Sequence, residues 1–243
     1  MVGEVQKIDI LAIGVHPDDV ELSCSGTLLS HRDKGYSFGI LDLTLGELGT
    51  RGSAEIRTQE ARAAAEFLGA RFRTQLNLKD GFFLNDEKSI REIIPVIRAC
   101  KPQIVLANAL EDRHPDHGRA SQLIANACFY AGLRRIESNW KGQTQEAFRP
   151  KVVYHYTQDY YLKPDLIFDI SDYMEQKIEA IKCFKSQFYD PDSQEPESAI
   201  SGKEFFDEII GKARVAGRNI QVRFGESYNV KRPVGSNNLF TLI

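Results

Sequence analysis

The chain has 243 residues, with 31 lysines and arginines against 34 acidic residues and a formal net charge of −3. That length is ordinary for one α/β domain spanning residues 1–243 with a sizeable core, and the charge balance provides no field to recruit nucleic acid or an anionic membrane surface. The four cysteines, Cys24, Cys100, Cys128 and Cys183, lie far apart with no CxxC pair and read as small hydrophobes of a reducing cytoplasm, while no signal peptide or membrane span is visible, so the expected partner is a small molecule, with homo-oligomerisation left open.

In chain order, "IDILAIGV" (8–15) is a nearly continuous apolar run, the pattern of a strand covered on both faces. Residues 20 to about 34 then carry Val20, Cys24, Thr27 and Leu28 at helical spacing and stop at Gly35. "YSFGILDLT" (36–44) predicts a second strand, "AEIRTQEARAAAEFLG" (54–69) a helix ended by glycine, and "RFRTQLNL" (71–78) a third strand. "SIREIIPVIRACK" (89–101) predicts a helix and "QIVLANA" (103–109) a fourth strand. Beyond residue 131 come the strand-like "KVVYHYT" and "LIFDI", then a helix from 171 to about 187. A Pro-, Asp- and Ser-rich loop (189–201), readable as a mobile lid, precedes a helix over about 203–218 and a polar tail. The alternation implies a Rossmann-like, mostly parallel, doubly wound sheet with helices on both faces and right-handed crossovers. Ligands of such sheets bind at the carboxyl ends of the strands.

Two loops at those ends are packed with metal-capable side chains, "HPDD" (16–19) and "EDRHPDHGR" (111–119), and they should face each other. At a strand-to-helix turn, His16 and a neighbouring aspartate can converge on one cation, and His117 supplies a third ligand. Two imidazole nitrogens and one carboxylate suit Zn²⁺, with Fe²⁺ also compatible, and three protein ligands leave a position open for water. The plain alternative makes Asp18, Asp19 and Asp116 helix caps and the histidines solvent-exposed. Three of the five histidines falling in these two loops argues against it.

Metal-assisted hydrolysis also wants a carboxylate off the metal to take a proton from water, and Asp18 fits. His114 can stabilise an oxyanion or protonate a leaving amine, with Asp116 holding its ring and favouring the charged form. Arg57, in the first turn of the helix after the second strand, is the candidate cation near the anionic intermediate, with Arg51 behind it toward the substrate. A solvated helix face is the alternative for Arg57. His31 and His155 read as structural, and "GELGTRG" (46–52) lacks the lysine and hydroxyl of a phosphate loop.

"HPDD" and "HPDH", joined by "LTLGELGTRG" and the downstream arginine, resemble the PIG-L (LmbE-like) zinc deacetylases, most specifically over residues 8–133. The loop "EDRHPDHG", "GLRR", "KPDLIFDIS" and "SQF" are similar to the branch that deacetylates N-acetylglucosaminyl malate in bacillithiol biosynthesis. The resemblance implies that His16, Asp19 and His117 bind Zn²⁺, that Asp18 rather than Asp19 is the general base, and that His114 and Arg57 assist at the tetrahedral centre. It implies a zinc-dependent N-deacetylase of a GlcNAc conjugate; the rivals are a deacetylase of another N-acetylglucosaminide or chitin fragment, and a non-catalytic sugar- or nucleotide-binding protein. A tyrosine that the family places near the oxyanion has Phe205 or Phe206 in its stead, leaving Tyr189 or His114 for that work. Recognition of a malate aglycone calls for a cation near the metal loops, and Arg113 is the expected one, the alternative being a surface pair with Glu111 or Asp112.

Overall fold

The computed structural model describes residues 3–241. Its elements begin β1 (Ile10–Gly14), α1 (Asp19–Asp33), β2 (Phe38–Asp42), α2 (Ala54–Leu68), β3 (Arg73–Gln75), α3 (Glu87–Cys100), β4 (Ile104–Ala107) and α4 (Pro115–Ala131). They continue with β5 (Asn139–Trp140), β6 (Gln143–Thr144), β7 (Val152–Tyr156), β8 (Leu166–Asp169), α5 (Met174–Ile181), α6 (Phe205–Asn219) and β9 (Gly225–Asn229). A short 3₁₀ turn follows at Leu239–Thr241.

The main sheet runs β3-β2-β1-β4-β7-β9-β8, parallel from β3 to β7, with β9 antiparallel to both its neighbours. Every residue of β1 and β2 is buried, because the sheet is covered on both faces. Leu11 and Ile13 of β1 join a core with Ile93, Ile97, Leu123 and Ile124 of α3 and α4; Ile10 and Ala12 point the other way onto Val20, Leu28 and Leu29 of α1. Strand alternation thus fixes which helices lie on which side. From β1 the chain winds to β2 and β3 in one direction, then returns to add β4 on the other side of β1. The carboxyl ends of β1 and β4 therefore flank the switch point where a crevice opens.

The strands and helices up to residue 109 fall within a few residues of their expected bounds, and three features differ later in the chain. The helix expected over 171–187 ends at Ile181, after which Phe184 and Gln187 bond back three residues, to Ile181 and Phe184, burying Phe184 and Phe188. The expected polar tail contains β9, whose sequence GESYN hides its strand character because the residue it buries beside Tyr228 is Glu226. Asn139–Trp140 and Gln143–Thr144 form a hairpin turned by Lys141 (φ 50°) and Gly142 (φ 82°). Paired positive φ values suit a tight two-residue connection.

Candidate active site and metal centre

The "HPDD" turn leaves β1 and enters α1 with Asp18 at φ 124°, a conformation that strains any residue with a Cβ. Asp18 occupies the N-cap position but its side chain makes no capping bond. Its carboxylate instead meets Arg57 at 3.0 Å, both side chains buried. Arg57 also donates to the carbonyls of Pro17 (2.8 Å) and Gly46 (3.1 Å). A Cβ at Gly46 would lie 2.1 Å from the guanidinium, so glycine at φ 65° is what lets Arg57 lie there. The solvated-face alternative for Arg57 is thereby set aside. Burial raises the Asp18 pKa to about 7 against the pull of Arg57, and the Asp19 charge adds to the rise.

The two loops face each other as expected. His16, His114 and His117 have ring centroids 4.7 to 5.6 Å apart, and their donor atoms lie within 4.8 Å of one another. Each outer imidazole is held from behind by a carboxylate: His16 Nε2 by Asp80 at 3.0 Å, and His117 Nδ1 by Asp112 at 2.6 Å. The remaining nitrogens turn toward Asp19, His16 Nδ1 at 3.9 Å from one oxygen and His117 Nε2 at 3.2 Å from the other. Asp19 is itself fixed by the His16 amide (2.9 Å), Asn108 (2.9 Å) and Gln158 (3.0 Å). Carboxylates behind metal-ligating histidines set tautomer and orientation, so this donor set fits a divalent cation held by His16, Asp19 and His117.

Electrostatics favours a cation at the same place. Burial disfavours protonated His16, yet its bonds to Asp116 and Asp80 and the Asp19 charge prevail and raise its pKa to about 10. Burial likewise opposes protonation of His117, and Asp19 with Asp112 raises it to about 9. The acidic side chains thus call for positive charge that Arg57 and Arg119 do not fully provide.

One expectation about the second loop is corrected, and the alternative for Arg113 takes another form. Asp116 does not hold the His114 ring: it accepts from the Gly81 amide (2.9 Å) and Arg119 (2.8 Å) and lies 3.6 Å from His16 Nε2. His114 caps α4 by accepting the Asp116 amide proton on Nδ1 (3.3 Å), and burial with the neighbouring His16 and His117 charges lowers its pKa. With Nδ1 accepting, the ring is left with Nε2 as the nitrogen that carries a proton. Arg113 pairs with neither Glu111 nor Asp112; it pairs with Asp159, which also holds Lys212 at 3.1 Å.

The cleft encloses about 440 Å³, an ordinary size for a small-molecule site. Its far wall comes from Phe205, Ile209, Ala213 and Ala216 of α6 and from residues 198–200 of the lid-like loop. That loop is tied down by Arg51, which is buried, reaches Ser193 and the Phe188 carbonyl, and lines the cleft; Glu195 meanwhile accepts the Gly52 amide. Phe205 lines the cleft and stacks on Phe188, Phe206 packs beside that ring, and Tyr189 is 44% exposed. No tyrosine among the described residues lines the cleft, whereas His114 does. His155 is buried with Nδ1 on the Asn108 carbonyl, and His31 bonds the Thr27 carbonyl, both structural as expected.

Four residues of the site were missed or misjudged. Asp80 sits in an ordinary "KDG" after β3, although a carboxylate at a third strand end was a usable signal. Asp112 lies inside the recognised loop, where the sequence offers it only as a partner for Arg113. Asn108 and Gln158 follow β4 and β7 and carry no motif.

This crevice at the switch point, with a buried His/Asp donor set, a strained carboxylate beside it and the His114 imidazole in its lining, defines a hydrolase of the metal-centre type. Residues 11–128 match the family described as PIG-L: GlcNAc-PI de-N-acetylase. A diacetylchitobiose deacetylase of Thermococcus kodakarensis is 32% identical over 76% of this chain and 71% of its own length. A 4-oxalmesaconate hydratase of Pseudomonas putida is 26% identical over 73% of each chain, and "Probable N-acetyl-alpha-D-glucosaminyl L-malate deacetylase 2" of Bacillus anthracis is 25% identical over 74% of this chain and 81% of its own. The crystal structure of the conserved protein TT1542 from Thermus thermophilus superposes with a TM-score of 0.84 at 31% identity, covering 94% of this chain and 97% of that one. The chain belongs to the PIG-L (LmbE-like) deacetylase family, and it is a hydrolase of N-acetyl amides. A non-catalytic binding protein is thereby set aside.

Proposed function

We propose that the chain removes the N-acetyl group from a GlcNAc conjugate with a divalent metal, Zn²⁺ by ligand chemistry and Fe²⁺ as the alternative, held by His16, Asp19 and His117. The observation that carries this is the pair of imidazoles braced from behind by Asp80 and Asp112 with their free nitrogens on Asp19. A metal there would lower the pKa of water toward about 7 and polarise the amide carbonyl. Asp18, kept off Asp19 by its backbone and facing Arg57, takes the proton of the attacking water. Arg57 positions Asp18 and balances its charge. His114 donates Nε2–H to the oxyanion, and Arg51 contributes to the substrate side of the cleft.

Among the described residues no helix is long and apolar enough to cross a membrane, and the four cysteines are free, which supports a cytoplasmic enzyme acting as one domain on a soluble amino sugar. N-acetylglucosaminyl malate is supported by the position of Arg113 on the cleft and by the Bacillus anthracis relative. Against it, Asp159 already takes the charge of Arg113. The test is elemental analysis of the purified protein with amine release measured on GlcNAc, N,N'-diacetylchitobiose and the malyl glycoside. About one metal per chain and release from at least one substrate are expected; no bound metal, or no release from a metal-loaded sample, refutes the proposal. If malate is the aglycone, Arg113→Ala raises its KM about tenfold and spares the uncharged substrates.

A further inference from the structure

The cleft divides lengthwise by chemistry. α6 presents Phe205, Ile209, Ala213 and Ala216 to it, an i, i+4, i+8, i+11 spacing that is one helix face. Glu208 and Lys212 line it from the neighbouring face, and Lys212 reaches the Gln158 carbonyl (3.4 Å) and Asp159 (3.1 Å) after β7. The polar flank of α6 therefore looks toward the second metal loop and the apolar stripe toward α1. There the stripe meets Leu22, which lines the cleft and packs with Ile200 against the cluster that holds Phe205, Ile209 and Ala213. The Leu22 amide donates to the Asp18 carbonyl at 2.9 Å, so the apolar side begins one helical turn from the carboxylate assigned as base.

We propose that this side of the cleft is an acyl groove, and that the enzyme hydrolyses amino-sugar amides with unbranched acyl chains longer than acetyl. The proposal rests on the N-deacetylase reading for the chemistry at the metal centre, and it concerns the acyl half of the amide. An acetyl group offers Leu22 and the α6 stripe a single methyl, whereas each further methylene covers more of that surface and releases water from it. Ala213 and Ala216 give the groove its depth, since a side chain that ends at Cβ leaves open the space a leucine would fill. α6 lies beyond residues 11–128, so the groove is built by a part of the chain outside the matched family region.

Charge sets the length of the chain. One turn past Leu22, the Gly26 and Thr27 amides hold Glu226, which pairs with Lys177 at 2.6 Å, and both charged side chains line the cleft. Asp19 and Gly26 are seven residues apart, about 10 Å of helix. A contact of roughly 4 Å at the charged end leaves room for a chain of about four to six carbons. A longer one would press apolar atoms onto the ion pair and strip it of its remaining polar surroundings. The reaction itself is unchanged: the C–N bond breaks, a C–O bond forms from water, and the products are the free amine and the carboxylate of the longer chain.

The experiment gives metal-loaded protein the N-acetyl, N-propionyl, N-butyryl, N-hexanoyl and N-octanoyl amides of glucosamine and measures amine release. From acetyl to butyryl, kcat/KM should rise about two- to fourfold per added methylene. In Ala213→Leu, which fills the groove from α6, the butyryl-to-acetyl ratio should fall about tenfold. Ala216→Leu is the second variant, and thermal melts check that each is folded. Calorimetry of acetate, butyrate and hexanoate on the loaded wild type reads the groove without catalysis, and hexanoate should bind about tenfold or more tightly than acetate. A kcat/KM that is flat or falls from acetyl to butyryl, or a ratio unchanged in a folded variant, overturns the groove. Octanoyl exceeding hexanoyl overturns the limit set by Lys177 and Glu226. If no amide is hydrolysed, the function proposed above fails and the carboxylates alone decide the groove: tighter hexanoate upholds it, and equal affinities overturn it.

Discussion

Asp112→Asn tests whether the metal centre is built from behind. In the native side chain, 1% exposed, Oδ2 accepts from His117 Nδ1 at 2.6 Å and Oδ1 accepts the Tyr160 amide at 2.8 Å. Burial raises the Asp112 pKa, but the bonds from His117 and Tyr160 outweigh that and lower it, so the group is ionised and accepts on both oxygens. Asparagine has one acceptor oxygen and one NH₂, so one of the two buried donors must face another donor. A buried hydrogen bond left unmade costs roughly 1–3 kcal/mol. At 1.4 kcal/mol per tenfold, that is a loss of about 10- to 100-fold in metal affinity if His117 bears it, the range typical of groups behind a metal-bound histidine. Asp112→Ala removes both acceptors, so it must show the loss whichever way asparagine turns. Competition for Zn²⁺ with a chromophoric chelator reads the affinity directly, and thermal melts of the metal-free proteins check folding. Native-like affinity in a folded Asp112→Ala variant would refute both the role of Asp112 and the placement of His117 in the ligand set.

Asp18→Asn should retain its metal while kcat falls about 10²-fold or more, measured by elemental analysis and amine release; loss of the metal would mean that Asp18 and Asp19 have exchanged roles. Arg73 is buried between Asp42, gripped at 2.8 Å by two guanidinium nitrogens, and Glu21 at 2.6 Å, so Arg73→Met strands two carboxylates and should cost about 3–5 kcal/mol in denaturant unfolding. Burial lowers the pKa of His155 in the fold, with the Asn108 carbonyl opposing, so folding favours the neutral ring. Its contribution to stability is complete above the unfolded pKa of about 6.5 and is lost as pH falls toward the folded value; melts across that window should show a shallower acid loss in His155→Gln than in wild type.

The "HPDD" and "HPDH" loops were legible because clustered charge at the end of an apolar strand demands compensation, and alternation of strands and helices says which ends share a crevice. Asp80, Asn108 and Gln158 were not legible for the converse reason. Each is one ordinary polar residue after a separate strand, and only the sheet order β3-β2-β1-β4-β7 brings them onto His16 and Asp19. Arg57 was legible as a candidate cation but not as a buried one, because its helix carries charges on every turn and the glycine at position 46 that accommodates it lies 11 residues away. The strand β9 escaped because its buried Glu226 is neutralised by Lys177 at 2.6 Å and accepts from the Gly26 and Thr27 amides. Burial of a charge that a distant lysine will pair leaves no trace in local hydropathy.

The matched family region, residues 11–128, holds His16, Asp18, Asp19, Arg57, Asp80, Asp112, His114 and His117. The cleft wall opposite them comes from residues 157 onward, beyond that region. The His/Asp cluster and the wall formed by α6 therefore come from different stretches of chain. The two stretches are nevertheless mechanically joined. Asp112, from the first, bonds His117 with one oxygen and the Tyr160 amide of the second with the other. Gln158, from the second, donates to Asp19 in the first. A shift of the backbone at 158–160 is thus transmitted to Asp19 and His117, so substitutions should be tolerated at the exposed side chains of Tyr160 and Tyr161 and penalised at Gln158 and wherever they move the main chain.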